Sequence, residues 1–122
     1  MNHTLGQQRA AYCLGKLDKI SCKREDFKPF SAGLPAMILQ NGFGQTLAFL
    51  LAKGKTHHTA GFEIISDWLI QRNLLLPGSK LEILKQISSM EQVKYLQAQK
   101  ETLAMLEWLK RYANAALFEE QS

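Results

Sequence analysis

The apolar residues of this chain recur at intervals of three and four, and nowhere alternate in the Val/Ile/Thr-rich manner of a strand. That pattern predicts helices throughout. The most hydrophobic stretch runs from Leu34 to Lys53 and carries no charge until its last residue. Met37, Ile38, Leu39, Phe43, Leu47, Phe49, Leu50 and Leu51 fall on all sides of a helix drawn through it. Such a segment is expected to be surrounded by other helices. Asn41-Gly42-Phe43-Gly44 interrupts it, and Pro35 suits a first helical turn, so two short helices meeting at residues 41–44 are predicted. The glycines there are read first as a packing device.

On either side the pattern continues. Thr4 to Gln7 has the form of a capping box and opens a helix to about Cys22, with Ala10, Cys13, Leu14, Leu17 and Ile20 on one arc. Residues 23–28 read as a mixed-charge connection, and residues 52–61, with two glycines, as a loop that exposes His57 and His58. A third pattern runs from Thr59 to about Leu74 through Phe62, Ile65, Trp68 and Leu69, with Trp68 expected in the core. Ser79 to Glu82 is a second capping box, before a short helix with Leu81, Leu84 and Ile87 inward. Ser88 to Glu91 offers a third start. The last helix is expected from Glu91 or Gln92 to Phe118, with Leu103, Leu106, Leu109, Ala113, Ala116 and Leu117 on its apolar arc. The expected architecture is an all-α, single-domain bundle (residues 1–122) of about five or six helices around the apolar central pair.

The 122 residues suffice for a core, and 46% hydrophobic with 21% charged residues describes a globular chain. The longest apolar run is broken by Gln40, Asn41, Gly42, Gly44 and Gln45, too early for a membrane span. The first residues lack the basic start and apolar block of a secretory signal. Cys13 and Cys22 would lie about 180° apart on one helix, which disfavours a disulfide between them. A cytoplasmic protein is expected.

Charge is divided unevenly. The net charge is +4, yet residues 1–55 hold eight basic residues (Arg9, Lys16, Lys19, Lys23, Arg24, Lys28, Lys53, Lys55) against three acids, and the remainder holds seven against eight. Basic excess confined to one half points to a polyanionic partner. On a helical wheel Arg9, Lys16, Lys19 and Lys23 form a stripe beside the apolar arc that could follow a phosphate backbone, although by itself it reads first as an ordinary solvated face. Lys110-Arg111 is a basic pair at the border of the last buried face.

Candidate chemistry is sparse. Gly54-Lys55-Thr56 lacks the earlier glycine and the preceding strand of a phosphate-binding loop. His57 and His58 have no carboxylate or thiol at ligand spacing, so no metal site is expected. No nucleophile elbow or paired carboxylate appears, and Cys13 on an apolar arc should be inert. The expectation is a non-enzyme without cofactor, metal or small-molecule substrate.

Leu34-Pro35, then Gln40-Asn-Gly-Phe-Gly-Gln-Thr-Leu-Ala-Phe-Leu50 with Lys53 after it, and Glu107-Trp-Leu-Lys-Arg-Tyr-Ala113 resemble the small all-helical subunit of the Cmr complex. That complex is the type III-B CRISPR RNA-guided, RNA-cleaving effector. The resemblance implies a non-catalytic structural subunit in antiviral defence. Its copies stack head to tail beside the other effector subunits, and a groove holds the guide RNA paired with target RNA. Lys53, Lys110, Arg111 and Arg9 match basic positions of the family, whereas Lys16, Lys19 and Lys23 come from the helical wheel alone. Phosphate contacts of this kind give sequence-independent affinity. Gln40, Asn41 and Gln45 flank the joint and could meet RNA or a neighbouring subunit, with helix capping the first reading of Asn41. The alternatives are the small subunit of a type III-A effector, a helical adaptor without RNA contact, and a small nucleic-acid-binding regulator. The last is disfavoured because the helix expected to read bases, Phe43 to Ala52, is nearly all apolar.

Overall fold

The computed structural model describes residues 2–115. It has six helices: α1 (Leu5–Asp18), α2 (Arg24–Asn41), α3 (Phe43–Lys53), α4 (Thr56–Gln71), α5 (Lys80–Ser89) and α6 (Gln92–Asn114). The all-α expectation holds, with no strand among the described residues. Both predicted capping boxes form: Thr4 and Gln7 exchange side chain-to-backbone hydrogen bonds at 2.8 and 3.0 Å, as do Ser79 and Glu82 at 2.7 and 3.2 Å. Each satisfies two of the amides that a helix start leaves without partners.

The central joint is a single residue. Gly42, at φ 93°, ends α2 and caps α3, a backbone conformation that side chains strain to adopt. The Gly44 N–H donates to Tyr95 Oη at 2.8 Å, so α6 supplies an acceptor for the first turn of α3. A Cβ on Gly44 would lie 3.4 Å from that oxygen. The packing reading of this joint is thereby supported.

Several expectations need correction. The stretch before the joint is not a short helix beginning near Pro35. It is an 18-residue helix that starts at Arg24 and contains Pro29 and Pro35. Phe27, Ser31, Leu34 and Ile38 form its buried stripe at spacings of four, three and four, and burial of that stripe offsets the backbone hydrogen bonds the prolines cannot make. Helix α1 stops at Asp18, not Cys22, where tight bonds from the Lys19 and Ile20 amides to Lys16 and Leu17 close its last turn. Lys23 therefore leaves the α1 wheel and caps α2. Ser88 and Ser89 do not open a helix, since their hydroxyls bond back to carbonyls of α5. Inside α5 the inward positions are Ile83 and Ile87, with Leu81 61% exposed. Ala116, Leu117 and the expected helix end at Phe118 lie outside the described residues.

Nor is the central pair wrapped completely. Helix α6 lies along α1 and α2, α3 packs on α4 and α5, and within the pair Leu39 stays 68% exposed and Phe49 40%. Helix α4 begins at Thr56, so His57 and His58 are helical, not loop residues. His58 is buried, with ring contacts to Phe30 at 5.1 Å and Phe49 at 5.9 Å. Burial, then the positive charges of His57, Lys53 and Lys55, push its pKa down. Helix α4 ends in paired turns back to Ile70 and Leu69 from Asn73 (φ 61°) and Leu74.

Candidate nucleic-acid interface

The relative direction of the helices decides which cations meet. Arg9 pairs with Glu101, and Cys13 Sγ donates to the Met105 carbonyl at 3.5 Å, so α1 and α6 run parallel. Helix α4 starts beside the end of α1, in a groove lined by Lys16, Lys19, Ala60 and Glu63, and ends beside Arg9. Its first turn also meets Phe30 in the early part of α2. The contact of Gly44 with Tyr95 fixes the start of α3 at the opposite end, beside the start of α6. One end of the bundle thus collects the ends of α1, α3 and α6 and the beginnings of α2 and α4.

That end carries Lys19, Lys23, Lys53 and Arg111, all exposed and, among the described residues, in no ion pair. Lys55, which sequence reasoning did not select, joins them near His58, and the exposed acids Asp18, Glu25 and Asp26 are interspersed. Lys110 also lies there but is 3.4 Å from Glu107, one turn earlier on α6. Such exposed pairs contribute little and yield readily to a competing anion. Lys16 sits further in, 2.8 Å from Asp67 and over the Tyr12 ring at 5.6 Å.

Arg9 stands apart, in the other half of the molecule. Its Nε and terminal nitrogen donate to Glu101 at 2.7 and 2.9 Å in a two-pronged pair, and Trp68 Nε1 donates to the same carboxylate at 2.9 Å. Burial pushes the Glu101 carboxyl up, but these hydrogen bonds and the charges of Arg9 and Arg72 outweigh it and hold the pKa below the usual carboxylate range. The hydrogen bond to Glu101 raises Arg9 in turn. Glu101 is the feature sequence reasoning misses, although it lies in step with Ala98, Met105 and Leu109 on the buried stripe of α6. A carboxylate on an apolar stripe signals a buried partner.

Cys13 is fully buried, and burial pushes its thiol pKa up to about 12. Cys13 and Cys22 are both free thiols. Among the described residues no group of three or more His, Cys, Asp or Glu side chains could hold a metal ion, and no helix is long and apolar enough to cross a membrane.

By class, then, the described residues form a small six-helix bundle with exposed charge at one end and one largely buried carboxylate that joins three of its helices. Residues 5–116 match the family model described as CRISPR-associated protein (Cas_Cmr5), and the chain belongs to that family. It is 31% identical over 96 residues to the CRISPR system Cmr subunit Cmr5 of Thermus thermophilus, covering 79% of each chain. Its fold is similar to the crystal structure of a CRISPR-associated Cmr5 family protein, also from Thermus thermophilus. There the TM-score is 0.75 at 27% identity, over 93% of this chain and 97% of that one.

Proposed function

We propose that this chain is a non-catalytic subunit of the type III-B CRISPR effector, the Cmr complex. In this reading its basic end lies against the phosphate backbone of guide RNA paired with target RNA, and further copies adjoin it along the duplex. The observation that carries the proposal is the gathering of Lys19, Lys23, Lys53 and Arg111, with the loosely paired Lys110, by the parallel packing of α1 and α6. Phosphate contacts of this kind hold a duplex in place without reading its sequence, and base pairing by the guide supplies the specificity. Membership of the family and the relative's name as a Cmr subunit support the assembly. Arg9 and Lys16 take a lesser part, since each already has an acidic partner.

Protein contacts would fall on the exposed apolar side chains. Leu39 and Phe49 lie on the two helices of the central pair, and Leu76, Leu81, Val93 and Leu96 lie around α5 and the start of α6. Unlike surfaces of this sort suit a heterologous contact, which repeats into a filament instead of closing as a dimer.

The test is purification of the tagged chain from its own cells, with co-purifying proteins and RNA identified. The expected result is recovery of the larger Cmr subunits with CRISPR-derived guide RNA. In the variant Lys19→Glu, Lys53→Glu, Arg111→Glu, protein recovery should persist while RNA retention becomes more salt-sensitive. Recovery without Cmr subunits, or undiminished RNA retention in the variant, would overturn the corresponding part of the proposal.

A further inference from the structure

In the half of the molecule away from Lys19, Lys23 and Lys53, a cleft of about 360 Å³ lies between the beginning of α1, the end of α4 and the first half of α6. Arg9, Arg72, Gln97, Lys100 and Glu101 line it. The single acid in this group has both oxygens engaged: Glu101 accepts Arg9 on each of them and Trp68 on one. Arg9 occupies both of its oxygens, so among the described residues Arg72, which feels the Glu101 charge only through space, and Lys100 form no ion pair at this cavity. Arg72 Nε is buried and has no hydrogen-bond partner among the described residues. A buried guanidinium donor left without an acceptor is costly and uncommon, and the neighbouring carboxylate is already taken. The backbone on either side of Arg72 is fixed, since its N–H donates to the Trp68 carbonyl and the following paired turn closes onto Ile70 and Leu69. The side chain is thus presented from an ordered helix end. Lys100 is exposed at the mouth and, among the described residues, has no ion pair to break on turning inward.

We infer that this cleft binds a phosphate group, with Arg72 and Lys100 supplying charge and Gln97 an uncharged donor. The two charge types are complementary: a guanidinium offers directed, planar donors, and an ammonium offers a compact charge that follows the anion. Arg9 is the positioning residue, because it neutralises Glu101 and keeps that carboxylate from repelling the ligand. This site is separate from the exposed basic end and does not depend on the reading proposed for it. The phosphate could belong to an RNA backbone or end, or to a free phosphate or nucleotide, and the chemistry of recognition is shared.

The experiment follows the arginine side-chain Nε–H signals of the full chain by nuclear magnetic resonance during addition of inorganic phosphate, with chloride at equal ionic strength as control. A saturable shift of the Arg72 signal is expected. Lys100→Gln, an exposed change that leaves the core alone, should weaken the response roughly tenfold, as loss of one charge-assisted contact does. Lys28→Gln, an exposed change in the early part of α2 at the opposite end, should not change it. Repeating the titration with an unphosphorylated oligoribonucleotide and with its 5′-phosphorylated form separates the sources. Response to both assigns the site to backbone phosphates. Response only to the phosphorylated form and inorganic phosphate assigns it to a terminal or free phosphate. An Arg72 signal that does not saturate, or responds equally in Lys100→Gln, overturns the site whatever the basic end does with RNA.

Discussion

The two ends of this bundle use the same residue types for different work. At one end Lys19, Lys23, Lys53 and Arg111 stand in solvent, and their placement depends only on which helix termini the topology brings together. At the other, Arg9 is bound on both sides of Glu101, which also holds Trp68 from α4, so one carboxylate joins three helices. Arginine at position 9 and lysine at position 19 belong to one basic stripe in the sequence. What separates them is an acid 92 residues away in the chain.

This contrast can be broken most directly at Glu101. Glu101→Ala would leave the Arg9 guanidinium and the Trp68 N–H without an acceptor in a mostly buried setting. The expected loss is about 3 kcal/mol of stability, read as a lower urea midpoint. A loss below about 1 kcal/mol would place the pair among surface ion pairs and remove the distinction between the two ends. A control on packing without charge is Gly61→Ala. A Cβ there would lie 2.7 Å from Phe30 Cζ, so the Phe30 ring must shift or α4 and α2 separate, at an expected cost of about 1–3 kcal/mol. An unchanged midpoint would mean that Phe30 moves aside freely.

Acid separates the two regions in a graded way. The pKa values of His58 and Glu101 are both depressed in the folded chain. Each therefore contributes stability above its unfolded value that is lost as pH falls towards its folded one. The His58 contribution should begin to fade below about pH 6.5 and that of Glu101 below about pH 4.3. In urea denaturation at a series of pH values, His58→Phe should flatten the upper part of the decline and Glu101→Gln the lower part. A decline that keeps its shape in both variants would assign it to other groups. The smallest stability effect belongs to the exposed end, where Lys19→Glu, Lys53→Glu and Arg111→Glu together should change stability by only about 0.5 kcal/mol each way. A larger loss would show that these cations hold the fold.

Local chemistry is readable from the sequence. Thr4-Gln7 and Ser79-Glu82 cap helices because their partners are three residues apart, and Gly42 breaks the central pair because its conformation is its own. The apolar spacing through Phe62, Ile65, Trp68 and Leu69 likewise predicts a core face, and those four side chains are buried. What escapes such reading is decided by distant neighbours. Pro29 and Pro35 argue against a long α2, but the Phe27, Ser31, Leu34 and Ile38 stripe packs strongly enough to carry the helix past them. His58 reads as a loop residue until Phe30 and Phe49 are seen to enclose it. Of the candidate site, the types of residue are legible. Their grouping requires the directions of α1, α4 and α6, which no local pattern contains.

The parallel contact between the first and last helices also sets a schedule for synthesis. Arg9 cannot meet Glu101 until 92 further residues have been added. At ribosomal rates of about 5–20 residues per second, that delay is roughly 5–20 s. For that interval the apolar side of α1, with Cys13 and Leu17, has no α6 to cover it. The bundle is therefore completed only once α6 has been made, and a product truncated before α6 would expose its core to aggregation instead of folding in part.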